Sequence, residues 1–257
     1  YHAIACWCAL AMGAVGLLLA ARFLHGADPR EAFGAIKIGT FGLLLPIYLS
    51  VCHRMLPFFS QAVIPRYVIW RPGWILALML TLVYAHLLLE LAHAYAWLWL
   101  VDAPLALLGL MLVWRWGLPA ARRVRLLFVL HLGFAWLPIA FALYAAQSAW
   151  FAWSGNYLYG RAPVHALTVG FFGSLLVAMV TRVTQGHSGR PLEMGRIPWL
   201  CFWLLQGVVL LRLAAEILPN APLWLALAGL GWLLAFLPWV IRSAWILTTP
   251  RVDGAPG

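Results

Sequence analysis

At 257 residues, 65% hydrophobic and 9% charged, with 16 Trp, the chain carries more apolar surface than a water-soluble domain of this length, and it reads as an integral membrane protein. Its formal charge of +10 does not signal nucleic acid: the basic residues fall between apolar stretches, where retained cytoplasmic charge explains them. The four cysteines, Cys6, Cys8, Cys52 and Cys201, lack metal-finger spacing, so reduced thiols are expected, with a soft Cu(I) site as the alternative.

A bilayer span needs about 20 apolar residues, and eight stretches qualify: 3–24, 33–53, 73–92, 97–115, 124–148, 163–184, 197–218 and 223–246. The chain opens at Tyr1 inside the first of these without a Met, so it is expected to be the N-terminally truncated, later portion of a longer polypeptide. Polar and Pro/Gly-rich joints such as "HGADPRE", "LPAARRVR", "SGNYLYGRAP" and "LPNAP" separate the spans, and the least polar joint is "AHAYAWLWLVDAP" between the third and fourth. The predicted fold class is all-α, a polytopic transmembrane helical bundle filling residues 1–257 as a single domain. No internal repeat stands out.

Charge sets the expected orientation. Twelve arginines (Arg54, Arg66, Arg71, Arg115, Arg122, Arg123, Arg125, Arg182, Arg190, Arg196, Arg242 and Arg251) fall to one face and three (Arg22, Arg30 and Arg161) to the other. The positive-inside rule then places both ends of the chain in the cytoplasm, consistent with an even number of spans.

Eight histidines sort by depth on this topology. His25, His86, His93 and His165 fall toward the extracytoplasmic face, His53, His131 and His187 toward the cytoplasmic one, and His2 near the start. In "HLLLELAH", His86, Glu90 and His93 are spaced by four and three, which predicts one polar face on the third span. His86 and His93 would be about 10 Å apart along the axis, too far to share a metal ion. Glu90 would fix an imidazole tautomer, or the stripe would form a polar seam between helices. His131 precedes Pro138 by seven residues; a proline kink there would let it line a pocket on the inner face of that helix, or it would be a satisfied interior histidine.

His165 and His187 bracket the sixth span. Their separation of 22 residues is about 33 Å of straight helix, so each must find partners elsewhere. Ala166, Gly170, Ser174 and Ala178 recur at every fourth position, predicting a face that a neighbouring backbone approaches closely. Gly186 and Gly189 predict a sharp turn presenting His187, and Arg182 and Arg190 nearby suit an anion such as a haem carboxylate, or serve as positive-inside anchors. Walker, dinucleotide-binding, nucleophile-elbow and H-E-x-x-H motifs are absent. Glu90 and Glu216 read as the only acids deep in spans; Arg212 and Glu216, four apart, predict an ion pair or a snorkelling pair, and Lys37, the only lysine, a snorkelling cation or an anion or proton contact.

The block "HALTVGFFGSLLVAMVTRVTQGHSGRPL" (165–192) resembles the signature of the NnrS family. The likeness extends in order to "KIGTFGLLLPIYLSVCHRMLPFF" (37–59), "LHLGFAWLPIAFAL" (130–143) and "PRVDGAPG" (250–257). What the resemblance implies is a multi-pass protein of the bacterial inner membrane, containing haem and copper, that belongs to the nitric-oxide response and to tolerance of nitrosative stress, as in denitrification. It also implies about twelve spans of bilayer length in the whole protein, of which this chain resembles the last eight. The family-like positions are His131, His165, Arg182, His187, Gly189, Arg190 and Pro191, with Arg54 and Pro57 in the earlier block. His53 and the His86/Glu90/His93 stripe depart from that pattern.

These observations give one leading expectation and one alternative. The first is a haem/copper protein binding NO, with His131, His165 and His187 as ligands, Arg182 and Arg190 as propionate contacts, and His86 and His93 as further metal donors. The alternative is a transporter or channel in which Lys37, Glu90 and the histidines line a polar path.

Overall fold

Eight long helices stand where eight spans are expected. In the computed structural model, which describes residues 1–26 and 28–254, they are α1 (His2–Leu24), α2 (Pro29–Val63), α3 (Gly73–Leu91), α4 (Trp99–Arg115), α5 (Arg125–Ser154), α6 (Ala162–His187), α7 (Arg196–Ala214) and α8 (Ala221–Thr248). Ala27 of the first loop and the last three residues of the 250–257 block lie outside the described residues. No strand occurs among the described residues. Seven of the helices have the length and hydropathy of a membrane span; α4, with 17 residues, rises about 25 Å, slightly less than a hydrocarbon core. The chain is an all-α, multi-pass membrane protein.

Two helices change winding in mid-course. Within α2, Ile38–Leu44 is π-helical, and within α6, Ala166–Gly173 is. The Leu45 N–H reaches back five residues to the Thr40 carbonyl, and Pro46, next in line, has no N–H to restore the four-residue ladder. Thr40 Oγ1 donates to the Ile36 carbonyl at 2.9 Å, and Thr168 Oγ1 to the Val164 carbonyl at 2.8 Å. Hydroxyls that bond the preceding turn loosen a helix locally. The sixth span is therefore not the straight α-helix its hydropathy predicts.

Two compact units can be described separately. One comprises residues 1–62, 66–108 and 144–158. Its core contains Leu45, Leu49, Leu56, Ile75 and Val83, each at most 2% exposed. Glycines set the helix approach: a Cβ on Gly42 would meet Leu87 Cδ2 at 3.2 Å, and one on Gly16 would meet Ile38 Cγ2 at 3.2 Å.

The other unit comprises residues 63–65, 109–143 and 159–257, with Trp116, Phe134, Phe141, Phe171 and Phe202 fully buried. The small-residue face expected on the sixth span is buried at all four positions, Ala166, Gly170, Ser174 and Ala178. Gly170 lies against the Trp136 ring, and Ser174 Oγ accepts from Gln206 Nε2 at 2.8 Å. Pro138 sits inside a continuous α5, and a Cβ on Gly109 would meet its ring at 3.2 Å.

Candidate functional site

The densest polar network lies in the first unit, and Glu90 is its hub. Lys37, the residue before the π-helical segment of α2, places Nζ 2.9 Å from Glu90 Oε2 and also donates to the Glu90 carbonyl at 3.0 Å and the Tyr95 hydroxyl at 3.2 Å. Of the two expectations for Lys37, the structure shows the anion contact, because α3 presents a carboxylate within its reach. His86, one turn before Glu90, sets Nε2 3.9 Å from Glu90 Oε1. On its other side, His86 Nδ1 lies 2.7 Å from Asp102 Oδ1 on α4. Both residues of that pair are 0% exposed, and the His86 ring is held between Phe41 and Tyr144, with centroids 4.3 and 5.0 Å away.

Asp102 corrects the expectation that Glu90 and Glu216 are the only deep acids. Its signal is present in "WLVDAP" but sits in the least polar joint of the chain, where an acid reads as loop punctuation. Among the described residues Asp102 Oδ2 is buried without a hydrogen-bond partner, a cost that a structural role alone does not explain.

His93 does not complete the stripe. α3 ends at Leu91, and His93 follows in the left-handed region at φ 54°, so its ring leaves the helix face. It is exposed, with Nδ1 2.8 Å from the Tyr95 hydroxyl. Together with Arg30, Phe33, Gly34, Lys37, Leu91 and Tyr95 it lines a cavity of about 530 Å³. From that cavity a chain of polar groups runs through Tyr95, Lys37, Glu90 and His86 to Asp102.

In the second unit, His165 precedes the π-helical segment of α6. Its Nε2 contacts the Arg212 guanidinium and lies 3.8 Å from Glu216 Oε1. Glu216 Oε2 accepts the Arg161 backbone N–H at 3.1 Å. The Arg212–Glu216 ion pair expected from their spacing is replaced by these contacts: α7 ends at Ala214, so Glu216 leaves the helical register that would stack it on Arg212. His131, in the second turn of α5, is 1% exposed.

His187 ends α6 as an exposed residue whose carbonyl accepts from Arg251 Nη1 at 3.2 Å. The turn there comes from Gly189, at φ 71°, whereas Gly186 stays helical. Arg182 is half-buried; Arg190 donates to Thr249 Oγ1 at 3.2 Å and stacks on Trp245. A contact not expected from sequence joins His2 Nε2 and His53 Nδ1 at 3.0 Å.

No group of three or more His, Cys, Asp or Glu side chains able to hold a metal ion occurs among the described residues. The four cysteines are free. A copper site of three or more such side chains is therefore not assembled among the described residues. A haem needs only one imidazole from the protein, and His86, whose Nδ1 is engaged by a carboxylate, has the backing that a metal-ligating histidine carries. His165 fits less well, since a guanidinium occupies the nitrogen lone pair a metal would take.

A family model described as NnrS protein matches residues 1–251. No curated protein and no solved structure matches the chain.

Proposed function

The chain belongs to the NnrS family, and from that premise we propose that it serves the nitric-oxide response as a haem-containing protein of the bacterial inner membrane, both ends of the chain facing the cytoplasm. The family match along 1–251 carries the reading. Haem would be held by a buried imidazole, His86 or His131, and would supply an open iron position for NO. This chain's own residues bury that imidazole and, at His86, fix its tautomer through Asp102. Arg182 and Arg190 remain the candidate propionate contacts, and His165, His187 and His93 the remaining metal-donor candidates. Copper, implied by the resemblance, would need donors beyond those this chain brings together.

The deciding experiment is the reduced-minus-oxidised absorption spectrum of the detergent-purified protein, before and after NO. A haem band that shifts with NO, and that disappears in His86→Ala or His131→Ala, is the expected result. A folded, haem-supplemented sample with no such band overturns the reading.

A second reading is favoured by the contacts from the 530 Å³ cavity through Lys37, Glu90 and His86 to Asp102. Ionisable groups at membrane depth mark ion and proton pathways. On this reading the cavity admits protons to a carboxylate-lined path. Glu90→Gln should abolish proton uptake into proteoliposomes under an imposed potential, while equal uptake by the variant would remove the path.

A further inference from the structure

We infer that the cavity between the start of α2 and the end of α3 binds the headgroup of an anionic phospholipid, with Arg30 holding the phosphate and Phe33 and Leu91 covering the apolar carbons that follow it.

Charge singles out Arg30. The two acids beside it in sequence are engaged elsewhere: Asp28 Oδ1 accepts the Arg30 backbone N–H at 2.8 Å, and Glu31 Oε1 lies 2.9 Å from Arg22 Nη2. Among the described residues the Arg30 guanidinium pairs with no acid. The other cation of the cavity, Lys37, is neutralised by Glu90 Oε2, and its remaining hydrogens go to the Glu90 carbonyl and the Tyr95 hydroxyl. Three N–H donors meet three acceptors, so Lys37 has nothing left for a ligand. The uncompensated positive charge of the cavity therefore sits on Arg30.

A second donor follows from the same bonds. Tyr95 accepts from Lys37 and has its own hydroxyl hydrogen to give, and His93 Nδ1 lies 2.8 Å away to take it. The neutral His93 ring then carries its hydrogen on Nε2, and His93 lines the cavity. An anion and a metal ion make opposite demands on that nitrogen, and the bond to Tyr95 favours the anion.

Size and lining decide what the anion is attached to. A free phosphate, equal to a few water volumes of about 30 Å³ each, would leave most of the 530 Å³ empty. Phe33, Gly34 and Leu91 supply an apolar wall to the same cavity, which suits a ligand with an anionic head and a carbon body. Arg30 stands in the first turn of α2 and Leu91 ends α3, so the cavity lies where spans meet the headgroup layer. An arginine beside an anionic headgroup adds to membrane affinity there. A snorkelling anchor would need the charge, but not the cavity wall.

Native mass spectrometry of the detergent-purified chain, titrated with phosphatidylglycerol, tests the site. Arg30→Gln should weaken the first lipid bound by about tenfold, the loss of a charged contact, and Arg30→Lys should restore most of it. Arg22→Gln, whose charge is already spent on Glu31, should leave it unchanged. Phe33→Ala, at a side chain 65% exposed and so free to change without unfolding, should weaken it as well. Phosphatidylcholine should bind less tightly and respond little to Arg30→Gln, and excess inorganic phosphate should not displace phosphatidylglycerol. Wild-type binding in Arg30→Gln, or an equal loss in Arg22→Gln, overturns the site in favour of general surface charge. Full displacement by inorganic phosphate, or indifference to Phe33→Ala, overturns the lipid assignment. The inference does not depend on the polar-path reading, which proton uptake tests and lipid counting does not.

Discussion

Glu90 shows how much one carboxylate can organise when water is excluded. Its two oxygens face Lys37 and His86 separately, and its own carbonyl holds Lys37 a second time. With side-chain exposures of 20% for Lys37 and 13% for Glu90, the pair is buried enough that removing one member strands the other. Lys37→Met should cost about 3 kcal/mol, the low end for breaking a buried pair, and Lys37→Met with Glu90→Leu should recover most of it. Thermal unfolding in detergent measures both, and a double variant no more stable than the single would show that the pair adds net stability.

Asp102 offers a sharper residue-level test. Asn keeps an oxygen to accept from His86 Nδ1, so Asp102→Asn should lower stability by under about 1 kcal/mol, whereas Asp102→Leu, which strands that donor, should cost about 1–3 kcal/mol. Equal losses in the two variants would mean that charge, not acceptance, holds His86. Sequence periodicity could place His86 and Glu90 on one face, because a helix fixes that geometry. It could not choose their partners, because Lys37 and Asp102 arrive from other helices 49 residues before and 16 after His86.

At the scale of the element, the long helices were legible because hydropathy reports burial in lipid directly. Their winding was not, since π- and α-helical turns bury the same residues and differ only in which carbonyl each N–H reaches. The two π-helical segments make neighbouring glycines unequal. A Cβ on Gly170 would lie 2.8 Å from Trp136 Cδ2, in a ring pinned by its Nε1 bond to Gln206 at 2.7 Å, while one on Gly173 meets nothing closer than Leu205 at 3.5 Å. Gly170→Ala should therefore destabilise by about 1–3 kcal/mol through overpacking. Gly173→Ala should stabilise by about 0.5–1 kcal/mol, since alanine loses less chain entropy. Trp fluorescence during thermal unfolding separates them, and equal melting temperatures would mean that α6 relaxes around Trp136.

For the whole molecule, orientation is the property that the sequence makes most legible, because it depends on a sum over loops. Twelve arginines against three is a bias that single errors in assigning loops do not reverse, and each loop arginine moved across the bilayer works against the potential. A fluorescent-protein fusion placed after Arg251 should therefore light up in cells, and an alkaline phosphatase fusion at the same point should be inactive. The charge imbalance also implies where the topology is weakest: α4 is the shortest of the eight long helices, below the length of the seven candidate spans, and Arg115, Arg122, Arg123 and Arg125 follow it closely. Replacing those four by Gln should give mixed activity for a phosphatase inserted after Arg123, because α4 would lose the charge that the positive-inside reading requires to hold its end on the cytoplasmic side. Unchanged, fully inactive phosphatase would mean that packing fixes the orientation of α4 and charge does not.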